Sequence, residues 1–417
     1  MLRKLPDLSG ATLIPSLLLR PRSNQPRAGH PGCLPTAQPM ALPVLEPTPR
    51  SRRGHGRITL QDVAEAAGIT KITVSRYLRQ PERVAPDTAR RIVQALAATG
   101  YMPNKHAGML ASGRSGMVAA IVPSLANSVF AETVQALSEG LQPAGFELML
   151  ASSGYSLQRE EAQIRAVLGW SPDALAVTGH HHTPEATALL RAAARAGTPI
   201  IELWDCSPNP GEFIQIGFDH AAVGRAMARH LVDAGYCRLA YVDTGVAADF
   251  RAHERGKAFA AESLVALASA GLPRPWPVRM LTAPAGDAFE GGRAALHQLL
   301  AAEATARVDA VAFANDHLAC GALLEAQRLG LQVPGQLALL GFGDFALGRQ
   351  LADGVSTVHP PRHAIGSEAA RTMIELLGLA PAERASRLSR QTAVPWQLVA
   401  RGSTAAVARA APLQPAN

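Results

Sequence analysis

The sequence predicts an N-terminal all-α head of helix-turn-helix type joined to a larger α/β body of two doubly wound parallel-sheet lobes. Three observations predict it. Two short amphipathic stretches meet across Gly68, and beyond residue 116 short apolar runs alternate with helical periodicity. Charge is also divided unevenly. Residues 1–115 hold 17 Lys+Arg against 6 Asp+Glu, a balance of +11, whereas residues 116–417 hold 23 against 27, a balance of −4. A basic head on a mildly acidic body is the electrostatic footprint of a nucleic-acid-binding module carried by a separate one.

Composition removes several classes. Hydrophobic residues make up 47% of the 417, enough for the body to bury a core, yet no apolar run reaches the roughly 18 residues of a membrane span. Cys33, Cys206, Cys237 and Cys320 are scattered with no CxxC pair, which argues against a disulfide framework and a structural zinc, and fits a reduced cytoplasm. Phosphate-cradling loops, HExxH and GxSxG are absent, so the chain does not read as an enzyme, and no cofactor is expected. His180-His181-His182 suggests a metal, but adjacent residues do not share a face, so a polar loop is expected and no metal site.

Residues 1–57 are rich in Pro, Arg and Ser without apolar periodicity. They read either as a disordered basic arm or as a lead ahead of a true start at Met40 or later. The apolar stretch near Leu17 is short, broken by Pro15 and without a cleavage site, unlike a signal peptide.

The head occupies residues 58–103. Thr59 is placed to cap a first helix, with Asp62 three residues on and Leu60, Val63, Ala64 and Ala67 on one face. Gly68 ends it. Thr70 caps a second helix from Lys71 to Leu78, with Val74, Tyr77 and Leu78 inward. A third, from Pro86 to about Thr99, should bury Ile92, Val93 and Leu96 before Gly100. In such a unit the start of the second helix enters the major groove. That makes Lys71, Ile72 and Arg76 the base-facing candidates, Arg76 for a guanine and Ile72 for a thymine methyl. Thr59, Thr70, Thr73 and Ser75 are better placed for phosphates. The bland reading of the same residues is a small helical bundle with a solvated basic face.

In the body, Met117–Val122, Phe146–Ala151, Ala174–Thr178, Pro199–Leu203, Ile214–Phe218, Leu239–Val242, Val278–Leu281, Ala310–Phe313 and Leu337–Gly341 read as buried strands between helices. Nine or ten such strands exceed a comfortable single sheet, hence two lobes. Ligands of such sheets sit beyond the carboxyl ends of strands. The candidates there are Ser124 and Asn127 after the first run, Ser152 after the second, then Asp205 and Asp219. The second lobe offers Arg251, Arg255, Asn315, Asp316 and Asp344. Taken singly, each could equally be a helix cap or loop residue.

The stretches Thr59-Leu60-Gln61-Asp62-Val63-Ala64, Ala67-Gly68-Ile69-Thr70, Thr73-Val74-Ser75-Arg76 and Gly100-Tyr101-Met102-Pro103-Asn104 resemble the headpiece of the lactose/galactose repressor (LacI/GalR) family. The resemblance continues to about residue 405 and implies a body of the periplasmic-binding-protein type. It also implies a hinge helix in a linker over 104–115, with Asn104 at the junction, Ala107 facing its partner and Leu110 wedged between base steps in the minor groove. Gly108 would weaken that helix off DNA. A body over 116–405 would bind the effector and dimerise, leaving 406–417 as a flexible tail. After Arg401 the chain is Ala/Pro-rich and without a leucine heptad, so the resemblance implies a homodimer on a palindromic operator rather than a tetramer.

Within that family, Thr70–Arg79 and Pro123–Glu132 look like the gluconate-operon repressors, which implies a sugar-acid effector and brings Phe130 into the candidate site. Asp219 and the Asn315-Asp316 pair match family effector positions. Two motifs depart from the pattern. Arg255-Gly256-Lys257-Ala258-Phe259 has alanine where the family has glycine. Gly341-Phe342-Gly343-Asp344 lacks one acidic hydroxyl-binder, which speaks against a plain neutral hexose. A carboxylate would need a cation such as Arg251 or Arg255; the alternative for both is a surface loop.

Overall fold

The computed structural model describes residues 58–102, 114–126, 129–207, 211–272, 276–301, 307–380, 383–384, 387 and 390–406. They fall into two compact units that divide after Met102.

The first unit is three helices: α1 (Leu60–Ala67), α2 (Lys71–Arg79) and α3 (Pro86–Thr99). Thr59 and Asp62 form a reciprocal cap at the start of α1. The Thr59 amide donates to Asp62 Oδ2 at 2.7 Å, and the Asp62 amide donates to Thr59 Oγ1 at 3.4 Å. Thr70 caps α2 in the same way, accepting from the Thr73 amide at 3.3 Å. Gly68, at φ 62°, gives α1 its left-handed end. Val63, Ala64, Ala67, Val74, Ile92 and Ala95 form the core. Val93 is not in it: 50% of its surface is exposed, because on α3 it lies about 100° round from Ile92, while Ala95 takes the inward position. With both halves of the box made, Thr59→Ala should cost the head about 0.5–2 kcal/mol. Urea unfolding followed by helix ellipticity would measure it.

In the second unit the predicted apolar runs form strands of two six-stranded sheets. The first lobe contains β1 (Met117–Val122), α4 (Phe130–Leu141), β2 (Glu147–Ser152), α5 (Leu157–Leu168), β3 (Ala174–Thr178), α6 (Pro184–Arg195), β4 (Ile200–Asp205) and β5 (Ile214–Phe218). The chain then continues through α7 (His220–Asp233), β6 (Leu239–Asp243), α8 (Phe250–Ser269), β7 (Arg279–Thr282), α9 (Ala288–Leu300), β8 (Ala310–Phe313), α10 (Asp316–Arg328), β9 (Ala338–Phe342) and α11 (Ala346–Gln350). It closes with β10 (Ser356–His359), α12 (Arg362–Gly378), β11 (Gln391–Ala393) and β12 (Gln397–Val399).

Strand orders are β11-β5-β4-β3-β1-β2 and β12-β10-β9-β8-β6-β7. The chain therefore changes sheet after β5, after β10 and after β11. β10, β11 and β12 add to the expected strands, and β12 runs antiparallel to β10, so the second sheet is not purely parallel. Residues alternate across β1: Val118, Ala120 and Val122 enter the large core, while Ala119 and Ile121 enter a smaller one under α5 and α6. The end of the described chain is also more built than its composition suggests. Ser403 and Thr404 are buried, and Ser403 Oγ accepts from the Ser356 amide at 2.7 Å and donates to Leu339 O at 2.6 Å.

Candidate functional site

On the head, Lys71, Ile72 and Arg76 all stand exposed on α2, and Ile72 leaves 70% of its surface to solvent at the first turn. A β-branched apolar side chain gains nothing there from packing, whereas an apolar base edge would cover it. The Thr70 and Thr73 hydroxyls bond each other at 2.9 Å, and Ser75 Oγ accepts from Arg79 Nη2 at 3.3 Å. Asn104, Ala107 and Leu110 lie outside the described residues, as does Asn127.

The body holds a cavity of about 330 Å³ between strand ends of its two lobes. Ser124, Phe130, Arg251, Arg255 and Asn315, all named from sequence, line it. So do Tyr155, Trp204, Phe289, His317, Phe342 and Phe345, which sequence reasoning missed because aromatic residues read equally well as core, and Asp249, which caps α8. Trp204 and Phe130 pack edge to face at 5.0 Å, and His317 stacks on Phe345 at 4.4 Å. The walls combine aromatic faces with two arginines, Asp249, Asp287 and several hydroxyl and amide groups, a make-up suited to a polar small molecule.

Arg255 is the unusual group. It is 4% exposed, and among the described residues no carboxylate lies within 4.0 Å of it. Its Nη2 donates to Ala314 O at 2.9 Å, its Nη1 lies 3.0 Å from His220 Nδ1, and its guanidinium sits 3.8 Å over the Phe342 ring. Its Nε is buried without a hydrogen-bond partner. Arg251 differs: it lies over Phe130 at 5.6 Å, and although burial opposes its charge, Asp205 and Asp249 favour it. Neither is the surface-loop arginine of the alternative reading.

Four carboxylates named from sequence are absent from the cavity wall, each for a local reason. Asp219 caps α7 through the Ala222 amide and pairs with Arg225 at 3.1 Å. Asp316 is spent inside the second lobe, accepting from the Phe345 amide at 2.9 Å and Thr357 Oγ1 at 2.6 Å; burial raises it to about 6. Asp344 is held by Arg401 at 2.6 Å and His359 at 2.9 Å. Burial opposes its charge, but these two partners keep its carboxyl below the usual range. Asp205 lies behind the wall, with His180 Nδ1 at 3.0 Å and His220 Nε2 at 3.3 Å. Ser152, from the same set, donates to Pro123 O.

The three histidines lie in the loop between β3 and α6, as expected, but neighbours there share a side. Gly179, at φ 88°, turns the chain so that His180 and His181 meet in a tilted pair at 4.1 Å, and His181 stacks in turn on Phe250 at 4.5 Å. His182 is buried between Glu160 (2.5 Å) and Glu202 (3.6 Å). Burial works to lower it, and the two carboxylates outweigh that, lifting it to about 9. Ligand-type atoms of His180, His181 and Asp205 lie within 4.8 Å of one another. Asp205, however, already faces two imidazoles and the Arg251 charge, which together hold its carboxyl far below its ordinary value despite burial. Asp205 is thus a carboxylate set between two imidazoles, with the Arg251 charge nearby.

Residues 59–104 match the model of bacterial regulatory proteins of the lacI family, and residues 228–404 that of a periplasmic binding protein-like domain. The chain is 38% identical over 328 residues to the HTH-type transcriptional regulator GntR of Pseudomonas aeruginosa, covering 79% of this chain and 92% of that one. It belongs to the LacI family. A LacI-family regulator from Silicibacter pomeroyi is similar in structure at 30% identity and a TM-score of 0.72, over 84% of this chain and 99% of that one. The lac repressor dimer bound to operator, at 22% identity, shares the fold with a TM-score of 0.70, over 84% and 100%. As a LacI-family transcriptional repressor, the protein binds operator DNA and a small-molecule effector and is not an enzyme. Among the described residues no helix is long and apolar enough to cross a membrane.

Proposed function

We propose that this LacI-family repressor binds a palindromic operator as a homodimer and is controlled by a sugar acid held between its lobes. The observation that carries the effector class is the buried Arg255 cation, which lines the cavity without a carboxylate partner. A buried charge is costly unless paired. A ligand carboxylate at the exposed side of this guanidinium would complete the pair, and the aromatic walls would cover the ligand's C–H faces. Ser124, Asn127 and Asn315 would take hydroxyls, and Phe130 and Arg251 would close the first-lobe side. Asp205, Asp219, Asp316 and Asp344 would act from behind, by holding the wall. The relatives with the name GntR and the likeness to gluconate-operon repressors support the same class.

The test is operator binding measured with and without gluconate and related sugar acids, on DNA from the protein's own promoter region. A shift in affinity with a sugar acid and none with neutral hexoses is expected. No response to any sugar acid would overturn the effector reading.

Lys71, Ile72 and Arg76 would read bases, and Thr59, Thr70, Thr73 and Ser75 would position the head on phosphates. Arg76→Ala should cost about 1–3 kcal/mol and relax the preference at one base pair. A uniform loss across operator variants would instead mark Arg76 as a phosphate contact.

A further inference from the structure

We propose that His220 is the positioning residue that fixes Arg255 in the cleft for the effector's carboxylate, acting only as the neutral imidazole with its proton on Nε2. This rests on the sugar-acid reading above. His220 opens α7 where the chain leaves the first sheet, and it is 2% exposed. Its two ring nitrogens face opposite lobes. Nδ1 lies 3.0 Å from Arg255 Nη1 on α8; Nε2 lies 3.0 Å from Trp204 O and 3.3 Å from Asp205 Oδ1 on β4.

Arg255 has donors and no acceptor, so the contact with Nη1 requires Nδ1 to accept. The other nitrogen then carries the proton and donates to Trp204 O, which can only accept, with the Asp205 charge beside it. A single tautomer satisfies both ends, and the opposite tautomer satisfies neither. The aromatic rings of Phe218 at 4.5 Å and Phe342 at 6.3 Å flank the imidazole.

The charged groups facing His220 are Asp205 from β4 and Arg251 and Arg255 from α8. Burial lowers its basicity, Asp205 works against that, and the two guanidinium groups favour the neutral form. Protonation would turn an N–H toward Arg255 and place a third cation beside two others. The hydrogen bond that aims the guanidinium would be lost, although its charge would remain. Because Trp204 and Asp205 belong to the first lobe and Arg255 to the second, His220 also ties the arginine's aim to the relative placement of the lobes.

The experiment uses the full chain, with gluconate titrated calorimetrically between about pH 5 and 8, across the ordinary histidine range. His220→Phe keeps a ring but no acceptor, and should lose about tenfold or more in affinity. His220→Asn can present its amide oxygen to Nη1, and should recover affinity to within about threefold while losing the pH dependence. Wild type should weaken as pH falls, since sugar acids keep their charge in this range. Equal affinities and pH profiles for wild type and His220→Phe would overturn the proposal, as would failure of His220→Asn to rescue while folded. If wild type binds no sugar acid, the effector reading fails separately. The ligand-free protein then decides on His220: nitrogen NMR of labelled histidine should show a protonated Nε2, and a proton on Nδ1 would overturn the proposal.

Discussion

Arg255→Gln is expected to weaken sugar-acid binding by about thirtyfold or more while changing the stability of the ligand-free protein little. The two halves of this result have one origin. In the free protein the guanidinium is 4% exposed, stacked at 3.8 Å on Phe342 and bonded to Ala314 O, with no carboxylate within 4.0 Å among the described residues. Such a cation carries a desolvation cost that neutral partners offset only in part. Glutamine removes the charge but ends where the arginine Nε sits, so the fold sheds that cost and loses the contacts of Nη1 with His220 and Nη2 with Ala314 O, two effects of opposite sign that leave stability little changed. With the ligand bound, the same change deletes the cation from a charge-assisted pair in a low-dielectric site, where losing one partner costs about 2–5 kcal/mol. At 1.4 kcal/mol per tenfold, that is a loss of about thirtyfold to several thousandfold. Calorimetric titration with gluconate and thermal unfolding without it measure the two halves. Undiminished affinity would mean the carboxylate binds elsewhere. Arg251 makes the contrast: Asp205 and Asp249 already favour its charge, so Arg251→Gln should disturb the free protein more.

What was legible in the sequence follows from how local its cause is. The caps at Thr59 and Thr70 and the left-handed turn at Gly68 are three-residue effects, and they stand where spacing put them. The buried strands were legible because parallel strands covered on both faces read as continuous apolar runs. β10 was missed because Ser356 and Thr357 read as polar; both are buried because Ser356 bonds Ser403 and Thr404, and Thr357 bonds Asp316, partners at least 41 residues away. β11 and β12 are three residues each, too short for any periodicity. The cavity wall was only half legible. Strand-end logic found Ser124 and Asn315, but it treated every strand-end carboxylate alike, and could not foresee Asp344 being taken by Arg401. The histidine triplet does lie in a loop, but the alternation of faces assumed for neighbours does not hold beside a glycine at φ 88°.

The cleft arginine depends on how closely two helices cross, and Gly224→Ala should expose that dependence. A Cβ on Gly224 of α7 would stand 2.2 Å from Arg255 O and 3.0 Å from Phe259 N on α8. These are backbone atoms, so no rotamer change can relieve the clash; the helices must separate. Overpacking of this kind costs about 1–3 kcal/mol, and more when the obstacle is main chain. The peptide pushed is that of Arg255 itself, and Gly224 lies one turn along α7 from His220. Gly224→Ala should therefore lower the urea midpoint by about 2–4 kcal/mol equivalent and also weaken sugar-acid binding by about tenfold. Gly378→Ala is the control. It lies exposed at the end of α12 with nothing within 4 Å of the new methyl, and helix propensity alone should make it neutral or stabilising by up to about 1 kcal/mol. If the two alanines behave alike, α7 and α8 do not touch at Gly224, and the aim of Arg255 is set by His220 without help from the helix crossing.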